Sequence, residues 1–401
     1  MLEKFSAKKN ILLYGSLIFL FCYFFQLFGF LNRYALLCSG ILFLLYVFTE
    51  KRLYLNIREI LLAAGLFLYA WIAGFSLSDI VSTTALPVLL LLIAKYMLFS
   101  SDSQASKNVW RLLTVFVLGF TLHGLLNSIL YFHSGFTENM GRMWKDIWTG
   151  IDLPATHQNV YVIPALALMF PALLYVKKHA AVCLSMLAVG VFFLIHSICS
   201  FSRIPVLLWA ILLIWEVALF LFINRKSGQL GKYLKTIGIV LIACALLAAF
   251  LCIQFNLLEN QSLLYTLNRN NGILHNIRFQ AQLNAIRQLL VYPFGGYQMD
   301  LCGMEHCHNV WLDIANASGL IPFSIIVVYT IFSFVDTVNL LRNPKIDIKL
   351  KYIISGLYFS FTIYYMVEPA LMANINFFVP WTYINGIIFG YTSIIKREQS
   401  V

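Results

Sequence analysis

A helix that crosses a bilayer needs about 20 predominantly apolar residues, and this sequence supplies run after run of that kind. About twelve are legible, at 11–30, 34–49, 59–76, 83–99, 110–132, 158–176, 180–198, 203–224, 236–255, 309–335, 351–368 and 376–394. A soluble protein is about half apolar and about a quarter charged. Here 61% of 401 residues are hydrophobic and 11% are charged, which excludes a soluble globular class. The 34 Phe, 21 Tyr and 8 Trp suit lipid contact and the aromatic belts at a membrane interface. We therefore expect an all-α polytopic integral membrane protein with about 12 transmembrane helices, formed as a single domain over residues 1–401. No small-residue cleavage site follows the first run, so it reads as an uncleaved span and not as a signal peptide.

The net charge of +11 does not indicate nucleic acid. Lys and Arg are scattered between apolar runs and build no basic face. The positive-inside rule accounts for them better. With a cytoplasmic N-terminus, one side collects Lys4, Lys8, Lys9, Lys51, Arg52, Lys107, Lys177, Lys178, Arg225, Lys226, Lys232, Arg342, Lys345, Lys349, Lys351, Lys396 and Arg397. The other side receives Arg33, Arg142, Lys145, Arg203, Arg269, Arg278 and Arg287. Both termini are then cytoplasmic, in keeping with an even number of spans.

Two segments are too polar to span and too long to be turns, about 133–157 and 256–308, and both fall on the outer face in this topology. The second contains HNIRFQAQLNAIRQLLVYPFGGY, with helical spacing as far as Pro293 and then a Gly-Gly break. A short amphipathic helix on the outer surface is expected. Arg278 and Arg287, nine residues apart, fall on opposite faces of it at about 100° per residue, so only one of them is able to face a given site.

The outer loop re-enters the membrane through MEHCHNVWLDIANASGLIP, residues 304–322. Glu305, His306, Cys307, His308 and Asn309 admit three readings: a metal site, a catalytic site, or a polar rim at a helix end. No CxxC pair accompanies them, which speaks against structural zinc. Cys302 and Cys307 are candidates for a small disulfide on an oxidising face. A histidine titrating near neutrality is a natural general base. Arg203, in CSFSRIPVLLW, opens a span next to Pro205. It joins the positive end of a helix dipole to hold an anion, or it snorkels to lipid headgroups. Arg142, in TENMGRMWKDIW, belongs to a sugar-stacking surface or to an interfacial belt. Glu216 is read as the one carboxylate deep within a span, protonated or paired to a neighbouring helix.

Taken in order, these stretches resemble the O-antigen ligase and O-antigen polymerase family of bacterial polytopic glycosyltransferases. SFSRIPVLL is similar to its Ser-Arg motif, and HNIRFQAQLNAI followed by YPFGGY to its arginine-bearing loop helix and turn. HNVWLDIANASGLIPF is similar to its His-Asn motif, with a downstream Gly that starts the next span. GRMWKDIWTGIDLPATHQNVYVIPAL is similar to its earlier outer loop. The resemblance covers about residues 110–390, and the chain departs from it at GLIPF, where many relatives carry a second Gly.

The resemblance implies a GT-C-like helical fold and a polyprenyl-diphosphate-linked glycan donor, used at the outer face of the bacterial inner membrane. It implies an inverting transfer needing no metal or cofactor, with a glycan or lipid acceptor. Arg203 and Arg278 would bind the donor diphosphate and His308 would serve catalysis, with Arg142 and Asn309 as further substrate-binding candidates. Polymerisation of surface polysaccharide repeats is the expected reaction. Ligation to lipid A core or another acceptor is the alternative within the chemistry, and a lipid-linked oligosaccharide flippase the alternative of another class. A transporter would place its polar residues near the midplane, whereas here they crowd one face.

Overall fold

The structure, a computed structural model, describes residues 2–29, 31–50, 55–99, 105–133, 143–200, 202–224, 235, 238 and 277–400. Arg142, all but Gly238 of the run at 236–255, and residues 256–276 of the second polar segment lie outside the described residues. The chain is mostly helical. In order come α1 (Leu2–Phe24), α2 (Leu31–Glu50), α3 (Ile57–Ile72), α4 (Leu77–Phe99) and α5 (Ala105–His133). Strands β1 (Met143–Lys145) and β2 (Asp152–Pro154) precede α6 (Ala155–Tyr175), α7 (Ala180–Cys199) and α8 (Arg203–Asn224). Then follow α9 (Ile277–Gln288), α10 (Val310–Ser318), α11 (Leu320–Arg342), α12 (Ile348–Val367), α13 (Ala370–Ala373), a 3-10 turn at Ile375–Phe377, and α14 (Val379–Ser400).

Six of the described helices, α4 to α8 and α11, are long and apolar enough to cross a membrane. Shorter apolar stretches lie at Ile11–Phe24 and Arg33–Phe48. A membrane-embedded, mostly helical protein of the all-α class is what the structure shows, with one addition and one correction to the sequence reading. A small ribbon lies between α5 and α6, where β1 and β2 pair antiparallel with Trp144 opposite Leu153. Asp146 Oδ1 accepts the N–H groups of Trp148 and Thr149, which closes the ribbon's turn. The run at 309–335 is not one helix, because it breaks at Gly319 into α10 and α11.

That break has a local cause. Gly319 sits at φ 85° and ψ −168°, a region essentially reserved for glycine. A Cβ there would lie 2.3 Å from the Pro293 carbonyl oxygen, and one on Gly295 would lie 2.5 Å from the Gly319 nitrogen. The two bare backbones approach closely enough to exchange hydrogen bonds. Leu320 N–H donates to Pro293 O at 2.8 Å, Gly296 N–H to Ala317 O at 3.0 Å, and Tyr297 N–H to Asn316 O at 2.8 Å. The YPFGGY turn that ends the α9 segment is thereby docked on the α10–α11 junction.

The chain divides into two compact units, residues 1–123 with 274–401, and residues 124–273. The first contains an aromatic core around Trp381. Its ring meets those of Trp311, Tyr329, Tyr358, Tyr365 and Phe378, which ties α10, α11, α12 and α14 together. Trp311 also donates to Thr330 Oγ1 at 2.9 Å. Two ion pairs are buried in the same unit. Lys95 Nζ lies 2.7 Å from Glu59, with both side chains almost wholly enclosed, and Arg58 lies 2.5 Å from Asp336. Glu59 and Asp336, like Glu216, are carboxylates buried within helices of the chain.

In the second unit, Gln158 on α6 donates to Gly124 O at 2.8 Å and to Ser128 Oγ at 3.1 Å. Asn127 on α5 links to Asp146 at 3.2 Å and accepts from Ile147 N–H at 2.9 Å. These bonds fix the β-ribbon on α5 and α6. Glu216 is buried on α8 beside Trp209, Leu212 and Phe170.

Candidate active site

His308 stands one residue before the N-cap of α10, and its backbone is in the left-handed region, at φ 54°. That conformation is uncommon for a side-chain-bearing residue and persists only where its surroundings impose it. Here three groups do so. Asp313, on the first turn of α10, accepts the N–H of Cys307 at 2.7 Å and of Asn309 at 3.3 Å, clasping the amides on either side of His308. Gln282 of α9 donates to the His308 carbonyl at 3.2 Å. Asn309 caps α10 by accepting Leu312 N–H at 3.2 Å, the short-polar-residue capping expected at that position.

The ring of His308 faces a carboxylate. Its Nδ1 lies 3.5 Å from Glu368 Oε2, while Glu368 Oε1 receives Arg278 Nη1 at 3.0 Å. Glu368 follows directly on α12 and its side chain is 3% exposed, against 34% for Arg278 and 17% for His308. The last carbonyls of α12, which lack partners within their own helix, are taken up by the same group of side chains. Met366 O accepts from Gln282 at 3.1 Å and from Asn309 at 3.4 Å, and Val367 O accepts from Arg278 at 3.4 Å. A junction of α9, the 304–309 loop and the end of α12 thus brings a histidine, a carboxylate and a guanidinium together. Beneath it, Ala281, Ala285, Met299, Leu301, Cys307, Leu312 and Ala315 form a continuous apolar floor.

Burial pushes the Asp313 carboxyl up to about 7, opposed by the backbone N–H groups of Cys307 and Asn309. Burial likewise lowers His306, and outweighs the opposing pull of Glu305, whose Oε1 is 3.8 Å from His306 Nε2. The Cys307 thiol is pushed up by burial and by the nearby Asp313. It is inert by the usual criteria for thiol reactivity. Cys302 and Cys307 are both free thiols, so the disulfide reading is not realised. Asn284 donates to Cys302 Sγ at 3.3 Å instead. Among the described residues, no three His, Cys, Asp or Glu side chains form a group able to hold a metal ion.

Of the residues singled out from sequence, His308, Asn309 and Arg278 meet at this junction, while Arg287 is exposed on α9. Asn309 is engaged at both ends of its amide, with Leu312 N–H and Met366 O, so its work here is to join α10 to α12. Arg203 is the exposed first residue of α8 in the other unit, following Ser202, whose hydroxyl donates to Asn159 at 3.0 Å.

Sequence reasoning passed over Glu368 and Gln282. Glu368 was detectable as a lone carboxylate in YYMVEPAL, closing an apolar run just ahead of a proline. Gln282 lies one turn from Arg278 on the same helix, where residues four apart are neighbours. Compared with known families and with curated proteins, the chain matches no family model and no curated sequence.

Proposed function

We propose that the chain is a glycosyltransferase that takes a glycan from a polyprenyl diphosphate at the outer face of a bacterial inner membrane and polymerises surface polysaccharide repeats. In this reading it has about 12 spans, a GT-C-like arrangement and cytoplasmic termini. The observation that carries the proposal is the meeting of His308, Arg278 and Glu368 in one junction. Transfer from a lipid diphosphate needs a base for the incoming hydroxyl and a cation for the departing phosphate. The acceptor oxygen attacks the anomeric carbon and the hydroxyl proton passes to the His308 ring. The bond from carbon to phosphate oxygen breaks, and polyprenyl diphosphate leaves with the electron pair. Attack opposite the leaving group inverts the anomeric centre. Arg278 brings to the junction a guanidinium, whose planar fork suits phosphate.

The test is transfer by purified protein in lipid nanodiscs, with a polyprenyl-diphosphate-linked repeat as the sole substrate. A ladder of lengthening products is expected. His308→Ala should cost about 10² to 10⁴ in rate, as loss of a general base does, while His306→Ala stays within a few-fold. Equal, small losses for both variants would remove the catalytic reading. Product that appears only after a separate acceptor is added would make the reaction a ligation.

A further inference from the structure

We propose that Glu368 is the positioning residue that fixes the tautomer of His308, holding the proton on Nδ1 so that Nε2 is the nitrogen that accepts the substrate proton. The inference rests on the reading of His308 as the base. A neutral imidazole carries one N–H, on either nitrogen, and an ionised carboxylate only accepts. His308 Nδ1 is buried and makes no hydrogen bond among the described residues, and Glu368 Oε2 lies 3.5 Å from it. With the proton on Nδ1, an N–H dipole faces the carboxylate. With the proton on Nε2, a lone pair faces it across the same buried gap, where charge is poorly screened. The first arrangement is the stable one. The separation is that of a charge contact, and such contacts are often long before substrate binds.

Glu368 is well placed to act in this way because its own position is constrained. Its N–H donates to Tyr364 O at 3.0 Å, its carbonyl accepts Ala370 N–H at 2.9 Å, and Pro369 restricts the chain between them. Arg278 holds the other carboxylate oxygen at 3.0 Å and supplies the positive charge that a buried carboxylate requires. When His308 takes the acceptor's proton on Nε2, the O–H electron pair goes into the new glycosidic bond and Nδ1 keeps its hydrogen. Glu368 stays ionised and stabilises the imidazolium, the role that an orienting carboxylate plays beside a catalytic histidine.

Glu368→Gln separates this role from a purely structural one. The glutamine oxygen still accepts from Arg278, but its amide N–H group then faces Nδ1 and favours a lone pair there, moving the ring proton to Nε2. Protein labelled with 15N-histidine and reconstituted in liposomes would be read by solid-state NMR at pH 8, with the His308 signals assigned by their loss in His308→Gln. The wild type is expected to show a protonated Nδ1 and a bare Nε2, and Glu368→Gln the reverse. Transfer should fall about 10² to 10⁴ in kcat, with KM little changed because the Arg278 contact survives.

A wild-type ring protonated on Nε2 overturns the proposal, as does a tautomer unmoved by Glu368→Gln, or full kcat in a variant whose tautomer has flipped. Should Glu368→Gln fail to fold, the wild-type spectrum still decides, and Glu368→Asp should keep the Nδ1–H form. Full transfer by His308→Ala would instead remove the base reading while leaving the tautomer result intact.

Discussion

Gly319→Ala is expected to destabilise the site-bearing unit by about 2–6 kcal/mol. The structure supplies the parts of that figure. The backbone at φ 85°, ψ −168° belongs to a region where a side chain costs on the order of 1–3 kcal/mol. The added Cβ would meet Pro293 O at 2.3 Å and the Phe294 backbone at 2.6 and 2.7 Å. Those are main-chain atoms, so the YPFGGY turn must withdraw. Withdrawal strains or breaks the bonds from Leu320, Gly296 and Tyr297 that dock it, at about 1 kcal/mol each. Equilibrium unfolding in mixed micelles gives the free energy. Hydrogen exchange, read by mass spectrometry on peptides covering 293–297 and 316–320, locates the loss. Because this turn is the tether between α9 and α10, Arg278 should also lose its register with His308. An unfolding free energy within about 0.5 kcal/mol of wild type, with unchanged exchange at those amides, would refute the docking argument.

Two further outcomes follow from buried charge. Lys95→Met should cost about 3–5 kcal/mol by leaving Glu59 enclosed without its cation, whereas Lys95→Met combined with Glu59→Leu should recover most of it. A double-mutant cycle by thermal unfolding checks this, and additive losses would mean that the pair does not act as a pair. Asp313, on α10 outside the spanning helices, has a folded-state pKa raised from 3.8 to about 7. The folded state therefore binds the proton more tightly than the unfolded one. Stability should fall as pH rises from about 4 through 7, by a few kcal/mol at most, and level off above. Unfolding measured across that range should lose its slope in Asp313→Asn, and a slope that persists would place the titration elsewhere.

The helical runs were legible because lipid demands continuous apolar length, which a sequence displays directly. The α9 helix and its Gly-Gly exit were legible for a similar reason: the apolar spacing ends at a proline and glycines that have few other uses. The 309–335 run was misjudged because hydrophobicity does not register a turn. Gly319 looks like any small residue in a span until the backbone of Pro293 is seen against it. The β-ribbon at 143–154 escaped because three-residue strands carry too little alternation to stand out from an aromatic loop. The buried pairs Lys95–Glu59 and Arg58–Asp336 escaped because each is made only where two helices pack, α3 with α4 and α3 with α11, and a lone charge near a span end reads equally well as an interfacial anchor.

The candidate site shows the same division more sharply. Its motif residues, His308 and Arg278, belong to segments that were already conspicuous. Glu368, the group that joins them, does not. Glu368 lies 60 residues beyond His308 and 90 beyond Arg278, and it touches both. Gln282 and Asn309 serve chiefly to hold the end of α12, and Asp313 to hold an unfavourable backbone turn in place. Each of these supporting contacts ends on a main-chain N–H or C=O, which every residue but proline carries in full and which no sequence pattern can single out. A reactive histidine therefore depends here on two things of different kinds. One is a side-chain identity that can be read in advance. The other is a convergence of three separated segments on each other's side chains and backbone groups, which only the fold creates. The consequence is that substitutions which never meet a substrate, at Gly319, Asp313 or Gln282, should alter the chemistry by misplacing His308.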